Sequence, residues 1–208
     1  MPVVNNRVTL SIALFAGFAA LAVAADDARF IPGSAASYPT KQTNDKVTVA
    51  AVPFATEDQA KMAFGKLDPN KYGILPVLIV IQNDSAQAIR VDSIKVEYVT
   101  PDRSRIESVP GKELQYLSGL RMPTIQNSPL PTGAPRVSRK KNPLSDPVLD
   151  VRSFSARMLP PGEKASGFFY FETVNRRGST VYINGIREAS SGKELFYFEI
   201  PLSEDGTR

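Results

Sequence analysis

The chain has 208 residues, no cysteine and no histidine, and a formal net charge of +4 at pH 7. Without cysteine it forms no disulfides, and without cysteine or histidine it lacks the ligands that zinc and copper prefer. The missing histidine removes the usual general base near neutral pH, and so small a positive surplus does not indicate a nucleic-acid binder. Composition therefore predicts no cofactor and no transition-metal site, while a calcium site made of oxygen ligands stays allowed.

Residues 1–25 have the pattern of an export signal. Arg7 makes the start of the chain positive, the run from Val8 to Ala25 carries no charge, and Ala22-Val23-Ala24 has the small-x-small form that signal peptidase cleaves. The uncharged run is at the lower length limit of a membrane span and is rich in alanine, so we expect cleavage rather than a retained anchor. We therefore predict an exported protein, periplasmic or extracellular, with no transmembrane span after cleavage.

The rest of the chain predicts one domain. Residues 26–45 are polar and contain proline and glycine, which favours a flexible lead-in. A single β-sandwich domain is expected over residues 46–202. Within it, residues 110–147 are rich in proline and have little periodicity, which predicts a long basic excursion from the domain.

The first elements of this domain are a strand and a short helix. Alternating valines predict the strand at residues 47–51. A helix is predicted over residues 57–64, because Thr56 and Gln59 have the form of a capping box and Gly65 stands where a helix ends. Its inward-facing residues would be Ala60, Ala63 and Phe64.

Residues 68–73 begin like a calcium-binding loop. The ligand expected at the twelfth position would be Ile79, which is apolar and belongs to a predicted strand. We therefore interpret this segment as a polar turn.

Two strand predictions follow. Residues 75–81 are all apolar, and an uninterrupted run this short indicates a strand buried on both faces. A longer strand is expected at residues 89–100, where the apolar positions change phase near Asp92 and Ser93. Because a one-residue slip would turn the buried face outward, we predict a bulge or bend there.

The last third of the chain has mostly strand signals. The turn Pro160-Pro161-Gly162-Glu163 has proline and glycine placed for type II geometry, and strands are predicted at 167–174, 179–186 and 195–200. The first and last of these carry aromatic residues on both faces. A sandwich strand normally exposes one face to water, so the second aromatic face needs a cover, either from the excursion or from a partner.

About seven strands separated by turns predict an all-β antiparallel sandwich with one short helix and one long Pro-rich loop. Three features resemble the immunoglobulin-like domains of exported bacterial proteins: the buried strand ending in Asn83-Asp84-Ser85, the turn 160–163 before an aromatic strand, and the closing pair of strands. The resemblance covers about residues 46–202. It implies an adhesion, assembly or scaffolding module and does not name a ligand.

The best candidate for contact with a partner is a basic cluster in the excursion. It consists of Arg136, Arg139, Lys140 and Lys141. Such closely spaced cations could bind an anionic partner, such as lipid headgroups, an acidic glycan or an acidic patch on an envelope protein. A solvated loop without a specific contact is the alternative interpretation.

Catalytic motifs are weak. Two pairs match the Ser-x-x-Lys nucleophile motif of penicillin-binding enzymes: Ser138 with Lys141, and Ser190 with Lys193. The match is one of spacing only, because neither pair begins a predicted helix. We therefore predict no catalytic residue in either motif.

A glycan-cleaving enzyme would need two carboxylates roughly 5–9.5 Å apart. The candidates are Glu97, Asp102, Glu107 and Glu163. Charged residues on the outer face of a strand are the simpler account. The leading interpretation is a non-catalytic exported binding or structural module of the cell envelope, and the alternative is a carboxylate-dependent glycan-acting enzyme.

Overall fold

The computed structural model describes residues 30–117 and 142–203. Within these ranges, three antiparallel sheets contain eleven strands. The predicted all-β antiparallel sandwich is confirmed, with more and shorter strands than expected. The strands are β1 Lys41–Asn44, β2 Val47–Pro53, β3 Leu75–Asn83, β4 Ile89–Arg90, β5 Lys95–Val99, β6 Arg105–Glu107, β7 Met158–Leu159, β8 Lys164–Phe171, β9 Thr180–Asn184, β10 Arg187–Glu188 and β11 Phe198–Pro201.

Short helices accompany the strands. The α-helices of the described part are α1 Glu57–Phe64, α2 Leu114–Leu117 and α3 Pro147–Val151. Its 3-10 helices are Ala35–Ser37, Pro69–Tyr72, Gly111–Glu113 and Pro143–Ser145.

Two four-stranded sheets of the described chain form the sandwich. Sheet 1 has the strand order β1-β2-β3-β8, and sheet 2 has the order β11-β9-β5-β6. Alternate residues of each strand point into the space between the sheets, as the period of two requires. Val77 and Ile79 of sheet 1 are fully buried there in one cluster with Tyr98, Val181 and Phe198 of sheet 2.

Sheet 1 is covered on its other face as well. We call the segments 30–38, 54–74, 111–117 and 142–153 the helical layer. They bury a second apolar cluster against Leu78, Val80 and Phe168 of sheet 1. The prediction of a doubly buried strand is therefore confirmed, since every residue of β3 from Leu75 to Ile81 is buried. The members that the helical layer contributes include Ala60, Ala63, Phe64, Leu114, Leu144 and Leu149.

The aromatic strand β8 obtains its cover from within the chain. The ring of Phe168 lies 4.9 Å from that of Phe54 and 4.8 Å from that of Phe64. The hydroxyl of Tyr170 donates a hydrogen bond of 2.7 Å to the carbonyl of Leu149, and burial raises its pKa. Helix α1 and the ends of the excursion thus cover the second aromatic face of this strand, as the sequence predicted.

Helix α1 has the predicted bounds because its ends carry their own signals. The Thr56 hydroxyl accepts from the Gln59 amide at 3.3 Å, and the Gln59 side chain accepts from the Thr56 amide at 3.1 Å. Gly65 ends the helix at a φ of 66°, which L side chains rarely adopt. The side chain of Asp68 accepts a hydrogen bond from the Asn70 amide and caps the start of the next 3-10 helix. Residues 68–73 therefore form the predicted polar turn.

The expected strand at residues 89–100 is broken where the apolar phase changes. β4 belongs to a small sheet of order β10-β4-β7, whereas β5 belongs to sheet 2. The predicted bend at Asp92 and Ser93 is therefore the point at which the chain changes sheets. Gly185 lies against this bend, where an added Cβ would stand 2.5 Å from the Ser93 carbonyl oxygen.

The predicted type II turn connects β7 to β8. Gly162 has a φ of 79°, and the Glu163 amide donates to the Pro160 carbonyl at 3.2 Å. The turn is anchored on the end of β3, because the backbone of Asn83 exchanges hydrogen bonds with Gly162 and Glu163.

The structure differs from the sequence analysis at the edges of the domain. Residues 26–45 are predicted as a flexible lead-in, but from Phe30 onward they belong to the fold. Phe30 packs on Phe54 and Phe168, and residues 41–44 form β1. Before the turn at 160–163 the chain forms only the two-residue β7, because residues 152–154 hydrogen-bond the edge of β8. The signal, residues 1–25, lies outside the described residues.

Candidate functional site

The outer face of sheet 2 carries a row of side chains that we call the aromatic ledge, formed by Arg105, Tyr182 and Tyr197. The rings of Tyr182 and Tyr197 stack with their centroids 5.1 Å apart and their planes at 28°. The guanidinium carbon of Arg105 lies 4.6 Å from the Tyr182 centroid. The three groups thus form a continuous stack in strand order, from β6 across β9 to the residue before β11.

The ledge faces outward because of the two-residue period of the strands. In β9, Val181 and Ile183 are buried between the sheets, so Tyr182 points to the opposite side. The register places Tyr182 opposite Glu97 of β5 and Glu199 of β11. Tyr197 is 50% exposed. The outer face of sheet 2 therefore presents aromatic rings beside carboxylates.

Opposite charges are paired along the ledge. The Nη1 atom of Arg105 lies 2.6 Å from the Oε2 atom of Glu97. This ion pair holds the guanidinium beside the Tyr182 ring. A groove of about 590 Å³ opens at this face. Its lining residues are Val99, Arg103, Arg105, Tyr182, Tyr197 and Glu199.

The turn between β5 and β6 forms one rim of this groove. Arg103 has a φ of 66°, in the left-handed region that favours glycine or asparagine. The turn is closed by a hydrogen bond of 2.8 Å from the Arg103 amide to the Thr100 carbonyl. Hydrogen bonds from the hydroxyls of Thr100 and Ser104 lower the pKa of Asp102 below its usual value.

Strand β1 holds the other end of the ledge in place. The side-chain amide of Asn44 donates to the Tyr197 carbonyl at 3.0 Å. The Glu199 amide donates to the side-chain oxygen of Gln42 at 2.8 Å. These bonds join the edge of sheet 1 to the edge of sheet 2, so the N-terminal strand positions Tyr197.

The predicted basic cluster, Arg136, Arg139, Lys140 and Lys141, lies outside the described residues. The structure does place the two ends of the excursion. The side-chain amide of Asn142 donates to the carbonyl of Gln115 at 2.7 Å. This neck belongs to the helical layer, on the opposite side of the sandwich from the aromatic ledge.

The four candidate carboxylates are only partly brought together. Glu97 and Glu107 are partners across β5 and β6 and share the outer face of sheet 2. Asp102 lies in the turn between the same strands, where the Ser104 hydroxyl donates to it at 3.0 Å. Glu163 lies in the turn before β8, in sheet 1.

The second Ser-x-x-Lys motif has no catalytic arrangement. Ser190 and Lys193 lie in the turn between β10 and β11, where no described residue begins a helix. The Ser190 hydroxyl donates to the Gln87 side chain at 3.2 Å. The first motif, Ser138 with Lys141, falls outside the described residues.

Sequence reasoning identified the exposed aromatic residue Tyr197 only as one member of an aromatic strand, and it missed Arg105 and Tyr182. The signal for Tyr182 was present, since it alternates with Val181 and Ile183. Arg105 had no such signal, because β6 has three residues and is too short to show a period. The stack depends on strand neighbours that are distant in sequence.

A second groove, of about 450 Å³, lies beside the bend at Asp92 and includes Phe154 and Phe169. Their stacked rings are 5.6 Å apart and pack against the core, so this groove offers less free aromatic surface than the ledge. In residues 30–117 and 142–203, no cluster of three or more acidic side chains could hold a metal ion. No helix in that part of the chain is long and apolar enough to cross a membrane.

Comparison with known proteins gives structural similarity only. No protein-family model and no curated protein sequence matches the chain. The Bacillus subtilis protein named "putative lipoprotein (ycdA)" is 13% identical with a TM-score of 0.38, over 78% of this chain and 38% of its own length. The secreted Mycobacterium tuberculosis protein MPT63 is 13% identical with a TM-score of 0.32, over 83% of this chain and 98% of its own. Neither similarity identifies a function.

Proposed function

We propose that the protein is an exported, non-catalytic binding module of the cell envelope and that it contacts its ligand through the aromatic ledge. The observation that carries this proposal is the exposed stack of Arg105, Tyr182 and Tyr197 on the outer face of sheet 2. Aromatic rings beside a few oriented polar groups are typical of binding surfaces. The signal pattern of residues 1–25 supports export.

The rigidity of the ledge supports the same proposal. Glu97 holds Arg105 at one end, and Asn44 holds the backbone of Tyr197 at the other. Side chains that are already ordered lose little conformational entropy when a ligand binds. A surface built this way is suited to recognition rather than to solvation alone.

We also propose that the sandwich is immunoglobulin-like. In that fold, strands A, B and E are neighbours in one sheet, whereas C, F and G form the other and variable-type domains add C′ beside C. The orders β2-β3-β8 and β11-β9-β5-β6 correspond to A-B-E and G-F-C-C′. In chain order, the segment between β6 and β7, which contains α2, α3 and the excursion, takes the place of strand D between C′ and E.

The basic cluster of Arg136, Arg139, Lys140 and Lys141 stays a prediction for an anionic partner, either a lipid or glycan or an envelope protein. The neck between Gln115 and Asn142 belongs to the helical layer, and none of the four basic residues is part of the ledge. The two surfaces can therefore be tested independently by mutation.

A sedimentation assay with the cell-envelope fraction of the producing organism tests the binding function. The exported chain would be compared with a Tyr182→Ala/Tyr197→Ala double variant, with a variant carrying Glu at the four basic positions, and with Tyr116→Ala. Tyr116 is a matched control because it is 77% exposed but lies on the helical layer. We expect the double variant to lose retention and Tyr116→Ala to keep it.

Three results would contradict the proposal. Equal retention of the native chain and the double variant would remove the ledge from the binding function. Loss of retention only in the variant with reversed charges would move the contact to the basic cluster. Failure of the native chain to sediment would argue against a binding module of the envelope.

A second candidate function is carboxylate-dependent glycan cleavage. The observation that favours it is the cross-strand pair of Glu97 and Glu107 on the same face as the ledge. Incubation with a panel of polysaccharides, followed by a reducing-end assay, tests this function. Release of sugar by the native chain but not by Glu107→Gln would support it, and no release would argue against it.

A further inference from the structure

We propose that the aromatic ledge recognises a neutral, hydroxyl-rich carbohydrate chain, an inference that rests on the proposed binding function. A sugar ring presents a flat face of C–H groups and a rim of hydroxyls. The face packs on an exposed aromatic ring, whereas the hydroxyls require donors and acceptors placed beside that ring. The ledge has both kinds of group within one groove.

Tyr197 supplies the flat surface. It is half exposed, and Tyr182 is the single aromatic ring of the described residues that stacks on it. Tyr182 in turn is held beside Arg105, so the ring of Tyr197 is supported from within the protein. A ligand ring that adds to the exposed side of Tyr197 would continue an existing stack and would require no rearrangement.

The charges around the stack favour a neutral ligand. In the described part of the chain, two arginines, Arg103 and Arg105, and one carboxylate, Glu199, line the groove. Glu97, beside the groove, is paired with Arg105 and offsets the second positive charge. Because the charges balance, the groove does not attract a strongly charged polymer over long distances. Guanidinium and carboxylate groups are nevertheless planar and form several hydrogen bonds, as hydroxyl-rich ligands require.

The size and composition of the groove favour a small repeating unit over a protein surface. Its volume of about 590 Å³ falls within the range of roughly 300–1,000 Å³ that small-molecule sites occupy. Among the lining residues that the structure describes, Val99 is the one aliphatic side chain. The apolar centre typical of a stable protein interface is therefore missing from this face as described.

The backbone of Arg103 provides an independent indication. Its φ of 66° would suit glycine or asparagine better than arginine. Strained residues held in place by their surroundings cluster at binding sites.

Native affinity electrophoresis tests the inference. The full exported chain would be run through gels that contain dextran, galactomannan, mannan or hydroxyethyl cellulose, with polygalacturonate as the charged comparator. We expect any retardation by polygalacturonate to be unchanged in Tyr197→Ala, because the predicted basic cluster accounts for it, and at least one neutral polysaccharide to retard the native chain through the ledge. Tyr197→Ala should weaken that retardation roughly tenfold, since it removes the stacking surface, whereas Tyr197→Phe should keep it.

Two controls separate recognition from general effects. Tyr116→Ala, on the helical layer, should be retarded like the native chain. Arg103→Ala should weaken retardation without changing the thermal unfolding temperature, because its side chain is exposed.

Three outcomes would overturn the inference: no retardation by any neutral polysaccharide, a retardation by polygalacturonate that Tyr197→Ala removes, or equal retardation of Tyr197→Ala and the native chain by the neutral polysaccharides. If envelope sedimentation still depends on Tyr182 and Tyr197 in that case, the carbohydrate inference fails and the binding function stands. If sedimentation is also unchanged when these residues are mutated, both the carbohydrate inference and the proposed binding function of the ledge fail.

Discussion

The outer faces of the two sheets carry similar residues but have different environments. On sheet 1, Phe168 and Tyr170 lie under the helical layer and are 2% and 0% exposed. On sheet 2, Tyr197 is half exposed and Tyr182 is partly buried beneath it, beside paired charges. The comparison shows that an aromatic strand face does not by itself indicate a binding site, because the layer packed against it decides whether the rings stabilise the fold or remain available.

The source of the difference is the chain that each sheet has available as a cover. Two segments of the helical layer, 30–38 and 54–74, adjoin β1, β2 and β3 of sheet 1 in the chain, and the other two, 111–117 and 142–153, lie between β6 and β7. The described residues form one apolar cluster between the sheets and a second on the outer face of sheet 1, and no comparable cluster on the outer face of sheet 2. If this difference in cover is wrong, mutations on the two outer faces should change the free energy of unfolding by similar amounts.

The largest effect is expected on the covered face. Phe168→Ala should lower the free energy of unfolding by about 3–5 kcal/mol, because it leaves a cavity among Phe30, Phe54 and Phe64. Urea unfolding followed by far-ultraviolet circular dichroism measures the loss. A smaller loss than that of Tyr182→Ala would break the distinction between the faces.

A smaller effect is expected where the helical layer reaches β8. A Cβ added at Gly167 would lie 2.3 Å from the Cα of Phe154, so Gly167→Ala should cost about 1–3 kcal/mol through overpacking. Gly192→Ala is the matched control, because its new Cβ meets nothing within 4 Å and only backbone strain remains. If the urea midpoint falls equally in both variants, the close approach of Phe154 to Gly167 does not contribute to the loss of stability.

The cap of α1 should contribute less than the packing does. Thr56→Ala removes the acceptor for the Gln59 amide and should cost about 1 kcal/mol, whereas Thr56→Ser keeps the hydroxyl. Thermal unfolding of both variants tests this. If the alanine and serine variants have the same unfolding temperature, packing in the helical layer is sufficient to stabilise α1 without the cap.

The smallest effect on stability is expected on the open face. Tyr197→Ala should change the free energy of unfolding by no more than about 0.5 kcal/mol, because the side chain is half exposed. The same urea titration measures it. A loss comparable to that of Phe168→Ala would mean that the ledge is part of the structural core and would weaken its assignment as a binding surface.

Local signals predicted several elements accurately. The bounds of α1 follow from Thr56, Gln59 and Gly65, and the turn at 160–163 follows from its own proline and glycine. The doubly buried β3 follows from its unbroken apolar run. Each of these features depends on residues that are close together in the chain, so the sequence is sufficient to reveal it.

Other features depend on partners that the local pattern does not show. β1 and β6 are too short and polar to stand out, and both are defined by pairing with β2 and β5. The neck between Gln115 and Asn142 is likewise a contact between the ends of a long excursion. The prediction of a flexible lead-in failed for the same reason, since Phe30 is ordered by contacts with Phe54 and Phe168.

The sequence by itself determined that this is an antiparallel β protein with one capped helix and two strands rich in aromatic residues, because burial period, caps and turn residues are local properties. Only the tertiary structure decided which aromatic rings are covered and which are open. It also brought Arg105, Tyr182 and Tyr197 together from three segments, with Asn44 of β1 holding the end of the row. The physical reason is that a site on a sheet face is set by strand order, and strand order arises from pairings between residues far apart in the chain.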